Sequence, residues 1–145
     1  MDISLVSVNP SNSRHCERLY DFLRERIDHP DTNISHKRLP LYGEHCLFVA
    51  ERPYFAWCLI QEGEEAIGSI YLTRNDEIGI FIMASHQGKG IGEQAIRLLM
   101  KSHRRDSYFA NINPQNERSI AFFKRLGGKC IQHTYEIPCL TSLPK

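Results

Sequence analysis

The sequence predicts one α/β domain over residues 1–145: a mixed, mostly antiparallel sheet of about six strands flanked by about four helices. Three observations predict it. Three consecutive runs rich in β-branched and aromatic residues lie between 54 and 83, separated only by tight turns. From Ile91 the apolar spacing changes from period two to the three-to-four of a helix, at Ile91, Ala95, Ile96, Leu98 and Leu99. The rest alternates strand, helix and strand, which requires a right-handed crossover and therefore helices on both faces.

The elements follow in order. Residues 2–8 (Asp-Ile-Ser-Leu-Val-Ser-Val) read as a strand, and 9–13 as a turn. Cys16, Leu19, Tyr20, Leu23 and Ile27 recur at helical spacing until Asp28-His29-Pro30 stops them. Residues 29–42 read as a loop. Residues 43–51 read as a short helix with Cys46, Leu47 and Ala50 on one side, ended by Pro53. Residues 54–61, 66–73 and 77–83 are the three strands, joined by Glu62-Gly63-Glu64-Glu65 and Arg74-Asn75-Asp76. A helix runs from 91 to about 103, and a strand over 108–113. A second helix covers 114–126, with Pro114 where a missing N–H costs nothing. Gly127-Gly128 closes it as a left-handed cap, and 129–137 reads as the last strand. Only 17 residues follow Gly128, so a second closing strand has little room and the sheet edge is open or covered by another subunit; a homodimer is one expectation.

Composition excludes several classes. The 145 residues carry 18 basic and 17 acidic side chains, a net charge of +1, so nothing suggests a nucleic-acid footprint. No stretch approaches the ~20 apolar residues of a membrane span. Five cysteines, an odd number with no Cys-x-x-Cys, argue against a disulfide framework or structural zinc, and the seven histidines lack ligand spacing, so no metal is expected. Met1-Asp2-Ile3-Ser4 lacks a basic run followed by an apolar one, and cytoplasmic residence is expected. Cys58 and Cys130 fall in strand patterns with no activating base nearby and read as buried structural thiols.

The strongest local signal is Gln87-Gly88-Lys89-Gly90-Ile91-Gly92, between a strand and a helix. Its glycines permit positive φ and close approach of a ligand. The unpaired N–H groups of the following helix and its dipole suit a pyrophosphate. A P-loop is excluded because Gly92 is followed by Glu93, and the spacing is not that of a dinucleotide fingerprint. A glycine-rich turn with no ligand is the alternative on the glycines alone.

A second stretch decides between them. Gln87-x-x-Gly90-x-Gly92, followed by Asn113-Pro114-Gln115-Asn116-Glu117-Arg118-Ser119-Ile120-Ala121-Phe122-Phe123-Lys124-Arg125-Leu126-Gly127, resembles two elements of the GNAT acetyltransferase superfamily in the right order. The resemblance implies acetyl-CoA as co-substrate, held in a V-shaped splay between strands 4 and 5, which end near Met83 and Asn113. It implies that the backbone of Phe81, Ile82 and Met83 pairs with the pantetheine amides like an added strand. Gln87, Gly88, Lys89, Gly90, Ile91, Gly92 and Glu93 would then hold the pyrophosphate, and Asn113 would stand at the mouth. Asn116 would reach the pantetheine arm, or serve only as a helix-start polar residue. Phe122 and Phe123 would line the thioester end. Lys89, Lys124 and Arg125 would face phosphates or solvent.

Acyl transfer to an amine needs a base for the ammonium proton, a donor for the oxyanion and a proton for the leaving thiolate. Glu77, opening the third strand of the meander on the same face as Gly79 and Phe81, is the candidate base; an ordinary carboxylate at a turn is the alternative, with Asp76 its near competitor. The family's usual acid is a tyrosine at the position of Phe123, and a phenyl ring donates no proton. Ser119, Tyr135 or water would have to substitute. The missing tyrosine, with Gly79 and Ser119-Ile120, is similar to the ribosomal-protein and amino-sugar branches of the family.

The acceptor is expected to be a small-molecule primary amine. Arg24, Arg26, Lys37 and Arg38 with Trp57, Tyr42 and Tyr71 suit a nucleotide-linked amino sugar. Residues 44–49, Pro53-Tyr54, Trp57 and 67–71 look similar to acetyltransferases of surface-sugar biosynthesis; Trp57 and Tyr71 as core residues are the alternative. A protein N-terminal or ribosomal-protein acetyltransferase and a non-catalytic acyl-CoA-binding module remain as rival readings.

Overall fold

A computed structural model describes residues 2–28 and 38–142. The acceptor-loop reading over 29–37, including Lys37, lies outside them. The order is β1 (Ser4–Ser7), α1 (Ser13–Ile27), α2 (Tyr42–Ala50), β2 (Ala56–Glu62), β3 (Glu65–Leu72), β4 (Ile78–Ile82), α3 (Ile91–Ser102) and α4 (Glu117–Arg125).

Local chemistry sets the helix ends. The Asn12 side chain accepts from the N–H groups of Arg14 and His15, satisfying two of α1's unpaired donors. Glu44 reaches back to the Leu41 N–H at 2.8 Å and starts α2. Helix α2 buries His45 and Val49, whereas Leu47 and Ala50, expected inward, are exposed. His45 is 3% exposed and donates from Nε2 to the Cys16 carbonyl at 2.9 Å, which is how a polar ring is tolerated there. Helix α4 begins three residues later than expected. Pro114 lies in the preceding turn and Asn116 is the cap, its side chain accepting from Ser119 N–H at 3.1 Å. The left-handed cap forms as read: Gly127 has φ +93°, its N–H reaches Lys124 O, and Gly128 N–H reaches Phe123 O, both at 2.9 Å.

The strands form one antiparallel sheet in the order β1-β2-β3-β4. Cys16, Leu19, Phe22, Val49 and Leu59 bury one face beneath α1 and α2. Ile60, Ile67, Ile70, Leu72 and Ile78 bury the other beneath Ile91, Ala95, Ile96 and Leu99 of α3. Cys58 is buried as expected, and burial pushes its thiol pKa up.

Two expected strands are absent among the described residues, so the sheet has four strands and not six. Residues 108–113 touch β4 through one parallel bridge, Glu77 to Phe109, with Ile78 N–H to Phe109 O at 2.7 Å and Phe109 N–H to Asp76 O at 2.9 Å. Residues 129–137 pair with no strand, and Cys130, read as buried, is exposed. Alternation shows that a segment suits a sheet, but a strand exists only where another edge accepts its hydrogen bonds.

Candidate functional site

The parity of β4 decides which backbone groups are available. Met83 N–H binds Ile67 O and Thr73 N–H binds Glu77 O, so Glu77, Gly79, Phe81 and Met83 turn their backbone groups toward β3. The groups of Ile78, Ile80 and Ile82 face the other way. Ile78 is used by the bridge to Phe109, and beyond it Ile80 and Ile82 line the opening between β4 and residues 110–113. This corrects the expectation for Phe81 and Met83, whose backbone is engaged by the sheet. Ile82 turns its backbone groups outward, and so does Ile80, which carried no mark because period two does not reveal which parity is bonded.

The glycine loop follows a 3₁₀ turn at Ala84–His86. Gln87 Nε2 donates to Ile82 O at 2.9 Å and ties the loop to the end of β4. Gly88 and Gly90 have φ of +79° and +77°, and neither has a neighbour where a Cβ would stand, so their backbone is open to a ligand. Gly90 is the cap of α3. Gly92 has a different reason: its Cβ would meet Phe122 Cζ at 3.2 Å, so it lets α4 approach α3. Ile91 is 2% exposed, and only its backbone can serve the loop. Lys89 is exposed, while Glu93 is held by Arg97 at 3.0 Å. Two contacts brace the loop from outside: Glu25 Oε2 of α1 accepts the Ala84 N–H at 2.9 Å, and His86 lies 3.9 and 3.8 Å from Glu62 and Glu65.

Glu77 stands at the closed end of the opening. Its Oε1 accepts from Thr73 Oγ1 at 3.2 Å, and its Oε2 accepts from Asn111 Nδ2 at 2.8 Å. Asn111 comes from the far side of the splay, 34 residues away, and no sequence signal marked it. Asp76, the competitor, is bound by Arg105 at 2.9 Å. On the Glu77 face, the Tyr71 ring lies across Gly79, where a Cβ would collide with it. Tyr54 stacks on Tyr71 with centroids 3.8 Å apart and planes 3° from parallel, and Trp57 meets Tyr54 edge-on at 4.9 Å. Burial pushes both tyrosine hydroxyls up, against the pull of Arg26, with the Glu77 charge adding to the rise at Tyr71. Both remain O–H donors at neutral pH.

Helix α4 supplies the other wall. Phe122 and Phe123 meet edge-to-face at 5.0 Å, and the Arg125 guanidinium lies 5.9 Å from the Phe122 ring centroid. Ser119 is half-buried in the first turn, and Asn113 Oδ1 accepts from Gln115 N–H at 2.9 Å. Asn116 spends its carbonyl on the cap. Tyr135 is not brought to this site: residues 129–137 join no strand, and it is 77% exposed and lies against His133.

Comparison with known proteins supports the fold. The chain is 24% identical over 126 residues to the peptidyl-lysine N-acetyltransferase YjaB of Salmonella typhimurium, covering 86% of this chain and 84% of that one. Its fold matches yncA of Salmonella typhimurium, an acetyltransferase solved with acetyl-CoA, at a TM-score of 0.67 and 16% identity, over 88% of this chain and 79% of that one. It also matches the Salmonella typhimurium acetyltransferase that modifies the N-terminal serine of ribosomal protein L7/L12, at 0.64 and 19%, over 85% and 78%. The family model for GNAT acetyltransferases matches residues 17–128, which span the splay, the glycine loop and both of its walls, and the chain belongs to that family.

Proposed function

We propose that the chain transfers the acetyl group of acetyl-CoA to a primary amine of a small molecule, with a nucleotide-linked amino sugar as the favoured class. The observation that carries the reading is the Glu77 carboxylate, fixed by Thr73 and Asn111 at the closed end of the opening that Ile80 and Ile82 line. Acetyl-CoA supplies the activated acyl group. The outward groups of Ile80 and the N–H of Ile82, whose carbonyl is held by Gln87, align the pantetheine arm, and the amides of 88–93 with Lys89 receive the pyrophosphate. Glu77 takes the ammonium proton directly or through one water, so that the amine attacks without a covalent enzyme intermediate. Ser119 is the nearest replacement for the absent tyrosine as proton donor to the thiolate. Tyr71, Tyr54 and Trp57 offer an aromatic wall for a sugar, and Arg24 and Arg26 on α1 offer charge for linked phosphates.

The experiment is thiol release from acetyl-CoA against nucleotide-linked amino sugars, aminoglycosides, polyamines and short lysine peptides. Turnover confined to the sugar class supports the proposal. Turnover confined to peptides replaces it with the lysine reading, which the YjaB likeness favours. Tight binding with no turnover on any amine replaces it with a binding module.

Two further outcomes follow from the geometry. Asn111→Ala removes one of the two groups that orient Glu77, and kcat falls about 10-fold, the loss of roughly one charged hydrogen bond, with KM for acetyl-CoA unchanged. Gly90→Ala places a Cβ at φ +77°, a strain of about 1–2 kcal/mol. It also stands where the pyrophosphate is proposed to lie, so KM for acetyl-CoA rises about 5–30-fold with a smaller change in kcat. Steady-state kinetics in both substrates separates the two effects.

A further inference from the structure

Two of the five cysteines meet where α1 packs on α2, although 30 residues separate them in sequence. The Cys16 thiol donates to Cys46 Sγ at 3.2 Å. A disulfide stands at about 2.05 Å, so the sulfurs need to close by only about 1 Å. Contacts beside the pair hold the helices in place. His45 donates from Nε2 to the Cys16 carbonyl at 2.9 Å. The Tyr20 ring packs on Tyr42 and His45 at centroid distances of 5.0 and 5.2 Å, and its hydroxyl donates to the Pro40 carbonyl at 2.7 Å. The two thiols are not equivalent. Cys16 is 5% exposed, and burial, with its bond to Cys46, pushes its thiol up to about 11. It stays an S–H at neutral pH. Cys46 is half-buried and is the sulfur that a dissolved oxidant can reach.

We propose that Cys16 and Cys46 form a reversible oxidation site, closed to a disulfide by a small-molecule disulfide such as oxidised glutathione. The Cys46 thiolate attacks one sulfur of the oxidant, forming a mixed disulfide and releasing one glutathione thiolate. Cys16 gives up its proton and attacks Cys46 Sγ, breaking the mixed disulfide and expelling the second glutathione thiolate. The two cysteine protons end on the two released glutathiones, so the chain loses two electrons that the oxidant gains. Thiolate is scarce at Cys16, but its attack is intramolecular and starts in contact, which offsets the scarcity. In reducing surroundings such a pair is made and broken, and so acts as a sensor rather than a permanent staple. The bond closes a 30-residue loop between α1 and α2 and removes that freedom from the unfolded chain.

The test exposes the full native chain to mixtures of oxidised and reduced glutathione, then blocks free thiols by alkylation and maps the peptides by mass. Wild type is compared with Cys46→Ser, whose half-buried position disturbs the fold less than a change at Cys16. The expected result is a peptide joining Cys16 to Cys46 without bound glutathione, reopened by dithiothreitol. Its formation raises Tm by about 5–15 °C. In Cys46→Ser the joined peptide is absent and oxidant no longer produces that rise. Cys16 lies about 14 Å along α1 from the Glu25 contact with the glycine loop, so acetyl-CoA binding is retained in the oxidised chain, and the outcome is separate from the functional proposal. Cys16 and Cys46 both alkylated while exposed Cys130 takes up glutathione would make the pair simple packing and overturn the proposal. A glutathione adduct that persists on Cys46 overturns it as well, as does a link that forms only in denaturant.

Discussion

Glu77→Gln is expected to lower kcat about 10²–10⁴-fold, the usual contribution of a positioned general base, while the dissociation constant for acetyl-CoA stays where it was. The amide is isosteric. Its oxygen still accepts from Asn111 and holds the closed end of the splay, while the Thr73 bond is given up because Thr73 Oγ1 already accepts the N–H groups of Asn75 and Glu77. What is lost is the proton acceptor. Only amine that has already shed its proton in solution then reacts, and the variant's rate climbs about tenfold per pH unit until the acceptor's own pKa. Wild type levels off at lower pH. The measurement is a pH–rate profile of thiol release for both proteins with calorimetry of acetyl-CoA binding. Equal rates and equal profiles would make Glu77 an ordinary carboxylate at a turn.

Gly68→Ala carries the largest expected loss of stability. Gly68 faces Ile82 across the β3–β4 ladder, and an added Cβ would run into the Phe81 carbonyl and come within 3.2 Å of the Ile82 Cα. Both obstacles are backbone, so no rotamer change relieves them. The strands must separate, which places the cost at the upper end of the about 1–3 kcal/mol typical of overpacking and lowers Tm by about 5–10 °C. Separation also displaces Ile80 and Ile82, so acetyl-CoA binding weakens with stability, which Glu77→Gln does not cause. Thermal unfolding followed by circular dichroism, with and without acetyl-CoA, measures this. An unchanged Tm would mean that β3 and β4 are further apart than described.

The contrast between what sequence revealed and what it did not has a physical basis. Helices α1 and α3, the meander and the closing glycines were legible because periodicity, caps and turns act within a few residues. The glycine loop was legible because positive φ leaves a mark in residue choice. Pro114 misled by three positions because proline and asparagine both suit a helix entry, and the decision lay in which side chain reached the Ser119 N–H. The strands at 108–113 and 129–137 failed for a different reason: their alternation is real, but pairing depends on an edge elsewhere. The same non-locality hid Asn111 from Glu77 and hid the parity that makes Ile80, and not Phe81, face the splay.

The bond between Glu25 and the Ala84 amide joins helix α1 to the start of the glycine loop. Helix α1 carries Arg26, whose charge acts on Tyr54 and Tyr71, and packs Phe22 against Phe81 at a centroid distance of 5.4 Å, while Glu25 grips the start of the glycine loop. A displacement of the loop on loading therefore pulls on the same rod that borders the acceptor. Such a linkage is reciprocal: the factor by which acetyl-CoA tightens acceptor binding equals the factor by which the acceptor tightens acetyl-CoA. Any such cooperativity has the Glu25–Ala84 bond and the Phe22–Phe81 packing as its paths.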